Sequence, residues 1–273
     1  MNRERVIFLD IDGTLVGFDG KIPASTIEAL KKARKAGHHL VICSGRSRFQ
    51  VDPALLSRGF DGVVGAAGAF VDLEGREVYH AYVIEEKRRE LAEFMDVHQV
   101  TYSMQASDGM RMNQRSADLL LQRYRGYHLS EDRIQRLIGR IQIVPDTWNS
   151  PYIEKAIYYD SPFTVQEMQD RLAPYFDVIG SSFEKPDPYC GEIGIAGITK
   201  ATGMQHYLEA ADIEKERSIA FGDGPNDIEM LQYAQIGVAM GNAQDTVKKV
   251  ADYVTSRIDE DGIARAFEHF GLI

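Results

Sequence analysis

The sequence predicts an α/β protein, a Rossmann-like parallel sheet core interrupted by an inserted α+β unit. Three observations carry that expectation. Short apolar runs recur at Val6–Leu9, His39–Cys43, Gly62–Gly65, Ser218–Phe221 and Ile236–Ala239, the pattern of strands buried on both faces. Helical stretches separate the first three, giving the alternating order of a parallel sheet with right-handed crossovers. From about Ala69 to Tyr189 that alternation gives way to hairpins mixed with helices. A chain of 273 residues accommodates one large or two ordinary domains.

Taken in order, the first strand runs straight into Asp10-Ile11-Asp12-Gly13-Thr14. Residues i and i+2 of a strand share a side, so Asp10 and Asp12 are expected to point together beyond its carboxyl end. Open α/β sheets bind ligands there, and two crowded carboxylates need a cation or a shared proton. Ser25-Thr26-Ile27-Glu28 fits a capping box opening a helix, and Gly37 supplies its stop. The second strand ends in Ser44-Gly45-Arg46, with a helix expected over Ser47–Ser57.

After the third strand, Glu74-Gly75 marks a hairpin between Ala69 and Tyr79, ahead of the inserted unit. A helix near Glu85–His98 leads to a strand at Thr101–Gln105, and Asp108-Gly109 turns into Met110-Arg111-Met112. Helices near Arg115–Tyr124 and Glu131–Arg140, a strand at Ile153–Tyr159, a helix at Thr164–Leu172 and a strand at Phe176–Ile179 follow. The first pattern is expected to resume after Gly191 with a strand at Glu192–Ile195 and a helix from near Lys200. Ser218–Phe221 then leads into Gly222-Asp223-Gly224-Pro225-Asn226-Asp227, and Gly262–Phe270 forms a terminal helix.

Composition narrows the function. A net charge of −10 without a basic cluster argues against nucleic acid as partner. Cys43 and Cys190 have no metal-ligand spacing, and Cys43 reads as a buried free thiol in a reducing compartment. No apolar run is long enough to cross a bilayer, and the N-terminal one is too short for a signal peptide. The expected location is cytoplasmic, with no membrane partner.

The polar residues at the ends of the inferred strands carry the chemistry. Asp10 and Asp12, Ser44, Lys200, and Asp223 with Asp227 are spread over two hundred positions, yet a parallel sheet would bring them to one edge. Several oxygen ligands without nitrogen or sulfur favour Mg²⁺. Ser44 offers a hydroxyl, the amides after it, from Gly45 onward, a seat for an anion, and Lys200 a point charge. These are the parts that phosphoryl transfer through a carboxylate nucleophile requires.

Asp10-Ile11-Asp12-Gly13-Thr14, Ser44-Gly45-Arg46, Lys200 and Gly222–Asp227 together resemble the four signatures of the haloacid dehalogenase superfamily. The short loop after Thr14, the insertion between the second and third motifs, Met240-Gly241-Asn242-Ala243 and Ala251–Thr255 resemble its Cof-like subfamily, class IIB. The resemblance covers the core by motif and the insertion by position. It implies a discontinuous catalytic core of residues 1–82 and 190–273, with an α+β cap at 83–189 that closes over it and chooses the leaving group. It also implies a Mg²⁺-dependent phosphatase acting on small phosphate monoesters, sugar phosphates or related metabolites. Asp10 would be the nucleophile that becomes an aspartyl-phosphate, and Asp12 the acid that protonates the leaving oxygen and later activates water. Asp10, the Asp12 backbone carbonyl, Asp223 and Asp227 would form the metal site. Ser44, Gly45, Lys200 and Asn226 would hold the phosphoryl group.

Two departures stand out. Ala67-Gly68-Ala69 replaces the frequent Asn-Gly-Ala, removing a polar side chain near the pocket, and Ala201 replaces the glycine usual after the lysine. Arg111, Asn113, Tyr152 and Lys155 are polar residues on cap segments and the candidates there for facing a substrate. Two other readings stay open: a sugar phosphomutase, separated by whether inorganic phosphate is released, and a non-catalytic phosphometabolite sensor, which the presence of both Asp10 and Asp12 weakens.

Overall fold

The computed structural model describes residues 4–17, 20–126, 141–180 and 187–273. The chain forms two compact units, Met1–Arg46 with Gln50–His80 and Ile198–Ile273, and Ser47–Phe49 with Ala81–Gly197. Among the described residues the strands are, in chain order, β1 (Val6–Leu9), β2 (His39–Cys43), β3 (Gly62–Gly65), β4 (Phe70–Leu73), β5 (Arg76–His80), β6 (Thr101–Ala106), β7 (Gly109–Met112), β8 (Ile141–Ile143), β9 (Ile153–Asp160), β10 (Phe176–Gly180), β11 (Gly191–Ile195), β12 (Ser218–Gly222), β13 (Ile236–Ala239) and β14 (Tyr253–Val254).

The first unit holds a sheet in the order β14-β13-β12-β1-β2-β3-β4-β5. It is parallel from β14 to β3, and β4 and β5 add an antiparallel hairpin. β1 lies between β2 and β12, so the strand order changes direction there, as it does where such sheets bind ligands. Register brings the chemistry together. Leu9 is level with Ile42 on one side and Phe221 on the other. The next residues on each strand, Asp10, Cys43-Ser44 and Gly222-Asp223, therefore leave the sheet at the same edge. Side chains of β1 alternate between two cores. Val6 and Phe8 pack with Val41, Met204 and Tyr207, while Ile7 and Leu9 pack with Leu30, Phe221 and Phe267.

In the second unit the sheet order is β10-β11-β9-β6-β7-β8. Tyr102, Met104, Tyr158 and Ile193 bury one of its faces with Leu91 and Met95 from helix Glu85–Val97 and Met168 from helix Val165–Leu172. Among the described residues no helix is long and apolar enough to cross a membrane.

Several expectations change in detail. The strand at 191–195 belongs to the second sheet, pairing antiparallel with β10 and β9. The units meet in sequence at Gly197–Ile198, not at 190. An isolated five-residue strand carries no mark of its sheet, and the burial of Ile193 in the second unit's core decides it. The first helix begins at Ala24 after Pro23, one residue before the expected capping box, and has no side-chain cap. Pro23 stands at the N-cap and has no side-chain oxygen to offer the first-turn amides. Ser25 Oγ is left buried without a partner among the described residues. The helix expected over 47–57 breaks into a 3₁₀ turn at Arg48–Gln50 and a short helix at Pro53–Leu56 capped by Asp52, because Pro53 can begin a helix but not continue one. The helix expected at Glu131–Arg140 lies outside the described residues.

Candidate active site

Asp10 is the first residue past β1, and its amide still extends the ladder, donating to Phe221 O at 3.0 Å. Lys200 opens helix Lys200–Ala210. Thr199 caps that helix by a reciprocal pair of bonds with Thr202, which fixes where the lysine starts. The loop after β3 closes tightly on this start: at Gly68, φ is +105° and a Cβ would lie 2.0 Å from Thr199 O. From this fully buried position Lys200 Nζ donates to Asp10 Oδ1 at 2.6 Å and to Asp227 Oδ1 at 2.5 Å. Asp227 Oδ2 accepts the amides of Asp223 (2.9 Å) and Gly224 (2.8 Å). Asp227 thereby shapes the loop that carries Asp223.

Asp223 is held from two further directions. Thr14 Oγ1 donates to its Oδ1 at 2.9 Å. Asn242 Nδ2 donates to Gly13 O at 2.8 Å and approaches Asp223 Oδ2 at 3.5 Å, while Asn242 Oδ1 accepts the Ile258 amide. Gly13 permits the approach, since its φ is +87° and a Cβ there would lie 2.1 Å from Asp223 Oδ2.

Carboxylate oxygens of Asp10, Asp223 and Asp227 all lie within 4.8 Å of one another. Three carboxylates face one ammonium. Burial pushes the Asp10 carboxyl well up and its acidic neighbours add to this, while Lys200 pulls it back down. Burial, and then Asp227, push Asp223 up to about 7 against the Thr14 bond. A buried cluster with surplus negative charge and only oxygen donors fits a hard divalent cation, which would neutralise that surplus. Asp10 and Asp223 could hold the ion. Asp227 has both oxygens engaged, so it serves the site by fixing Lys200 and the Asp223 loop.

The carboxylate of Asp12 does not join this cluster. β1 ends at Leu9 and the chain then turns, Gly13 N bonding to Val16 O and Leu15 N to Ile11 O, so the same-side rule for strands does not apply. Arg46 takes the Asp12 carboxylate instead, Nη2 to Oδ1 at 2.6 Å and Nε to Oδ2 at 2.8 Å. Ser44 is buried and its Oγ accepts the Arg46 amide at 3.2 Å. The two residues after Ser44 thus form a loop, not the helix start expected of them. Gly45 and Asn226 are half-buried, Asn226 within the 3₁₀ turn Pro225–Asp227.

In the second unit, three of the four candidates are engaged in its own structure. Arg111 makes two bonds to Asp108. Asn113 Oδ1 accepts the Ser116 amide at the start of helix Gln114–Gly126, and its Nδ2 donates to Asp96. Lys155 is buried against Glu192. Tyr152 is exposed, its ring edge-on to Tyr82. Thr14, Arg46 and Asn242 also belong to the site's bonding network, and each sits in one of the sequence motifs without its residue type marking a role there.

The family model for haloacid dehalogenase-like hydrolases matches residues 7–267. The chain belongs to that family. YkrA of Bacillus subtilis (strain 168) is 32% identical over 98% of both chains. The pyridoxal phosphate phosphatase YbhA of Escherichia coli (strain K12) is 28% identical over 96% of both. Among solved structures, the subclass IIB sugar phosphatase BT4131 superposes with a TM-score of 0.81 at 29% identity, covering 98% of this chain and 100% of its own. The haloacid dehalogenase-like fold with its inserted unit is the one described above, and the enzyme class is phosphoric monoester hydrolase.

Proposed function

We propose that this haloacid dehalogenase-like enzyme is a Mg²⁺-dependent phosphatase of small phosphate monoesters, sugar phosphates or related metabolites, working through an aspartyl-phosphate on Asp10. The observation that supports it most is the single buried ammonium of Lys200 shared by Asp10 and Asp227, with Asp223 completing the carboxylate group. Lys200 engages Asp10 Oδ1 and leaves Oδ2 to attack phosphorus. The bond from phosphorus to the leaving oxygen breaks, and Asp12 supplies that oxygen with a proton. Water then attacks the phosphorylated Asp10, Asp12 takes the water's proton, and inorganic phosphate departs. Ser44, Gly45 and Asn226 receive phosphoryl oxygens at the same sheet edge. Asp10, the Asp12 carbonyl and Asp223 would hold Mg²⁺, with Asp227 orienting them; the bound ion supplies positive charge where negative charge builds on the phosphoryl group.

The test is release of inorganic phosphate from a panel of hexose, pentose and cofactor monophosphates, with Mg²⁺ and after chelation. Chelator-sensitive release from sugar phosphates supports the reading. Isomerisation of a hexose phosphate without release would replace it with a mutase.

A further inference from the structure

Arg46 belongs to the second motif, yet the mechanism above gives it no part. Its side chain is the most strongly committed one around Asp12, with both carboxylate oxygens in its fork at 2.6 and 2.8 Å. The fork is itself anchored. The Arg46 amide donates to Ser44 Oγ, its carbonyl accepts the Ala66 amide at 2.8 Å, and Nη1 reaches Gln50 O at 3.4 Å. A planar guanidinium fork sets the plane of a carboxylate, which a lysine point charge does not. A carboxylate has about four lone-pair sites; the fork uses one on each oxygen and leaves one on each for water.

We propose that Arg46 is a positioning residue for the second half-reaction. It holds Asp12 in the orientation in which the carboxylate removes a proton from the water attacking phosphorylated Asp10. The inference rests on the aspartyl-phosphate reading. In this step a water oxygen bonds to phosphorus, and the bond from phosphorus to the Asp10 oxygen breaks with its electron pair returning to Asp10. One water proton passes to Asp12, and inorganic phosphate leaves. The fork presents N–H donors to both oxygens, which suits the proton-accepting form of Asp12. That form acts in hydrolysis of the intermediate, whereas the first half-reaction needs Asp12 to carry a proton.

The half-reactions separate with p-nitrophenyl phosphate, whose leaving group departs without a proton. Arg46→Met is expected to lower kcat about ten- to a hundredfold, part of what a general base contributes. KM should fall in step, so that kcat/KM stays within about twofold. Acid-quenched Arg46→Met enzyme should retain more protein-bound phosphate than the wild type, and millimolar guanidinium should restore part of kcat. Arg46→Lys keeps the charge without the fork and should show the same pattern more weakly; it decides the matter if Arg46→Met does not fold. An unchanged kcat, or equal loss of kcat and kcat/KM with no rise in bound phosphate, overturns the inference alone. A wild-type enzyme that releases no phosphate overturns the mechanism and this inference with it.

Discussion

Lys200 and Lys155 are both buried lysines held by short bonds to carboxylates, and their surroundings differ in charge balance. Lys200 is shared between Asp10 and Asp227 with Asp223 beside them, leaving an excess of negative charge. Lys155, on β9, meets only Glu192, on β11, at 2.5 Å among the ion pairs of the described residues. The Lys155 pair is balanced and spans two strands of one sheet. The Lys200 cluster is unbalanced and sits where strand order reverses. A buried pair that cancels its own charge holds a fold together, whereas one left in surplus invites a cation and a reaction.

The most severe way to break this contrast is at the surplus side. Asp10→Asn and Lys200→Met are each expected to cut phosphate release by at least about a thousandfold, as loss of a nucleophile or of its electrostatic support does, while circular dichroism shows the fold retained. Substantial turnover by Asp10→Asn would remove the nucleophile assignment.

On the balanced side, Lys155→Met alone should cost up to about 3 kcal/mol in urea unfolding, because it leaves the mostly buried Glu192 carboxylate without its partner. Adding Glu192→Leu should recover most of that loss. Equal instability of single and double variants would show that the pair does more than cancel its own charge.

Protons and a metal should compete at Asp223. With its carboxyl pushed up to about 7 in the metal-free protein, a proton must leave before a divalent cation binds. Calorimetric Mg²⁺ affinity should weaken as pH falls below about 7, by up to about tenfold per pH unit. The sign for stability of the metal-free fold is the opposite one. A carboxyl raised on folding favours the metal-free fold below the unfolded value of 3.8, and that contribution is lost as pH rises through about 7. Asp223→Asn should flatten both dependences, and a pH-independent affinity in the wild type would count against Asp223 as ligand.

The smallest expected effect lies in the loop that abuts the lysine helix. Ala66 and Ala67 both have positive φ, 50° and 55°, unfavourable for a residue with a Cβ. Ala67→Gly should stabilise the protein by about 1 kcal/mol in thermal unfolding. No gain would mean that the strain is relieved elsewhere, in the bonds from Ala66 N to Arg46 O and Ala67 N to Ser44 O.

Legibility followed the length scale of the interaction. β1, β2, β3, β12 and β13 were readable because each is a short apolar run buried on both faces, and their helical connections left few topologies. Asp10, Lys200 and Asp223 followed, since each stands directly after a strand or at a helix start. Arg46, Thr14 and Asn242 escaped because their partners are 34, 209 and 229 positions away. In the second unit Asn113 and Lys155 looked available because Asp96 and Glu192 lie 17 and 37 positions away, whereas Arg111 pairs with Asp108 three residues before it, across a turn whose closure a polar pattern does not specify.

What the amino-acid order determined alone was the core strands β1, β2, β3, β12 and β13, the motifs at their ends and hence the family, all consequences of local patterning and short loops. Only the folded chain decided that Asp12 turns to Arg46 and not to Asp10, that β11 joins the second sheet, and that Asp10 and Asp227 share one ammonium with Asp223 close beside them. Those outcomes depend on which distant groups meet once apolar surface is buried, and no window of sequence contains both partners.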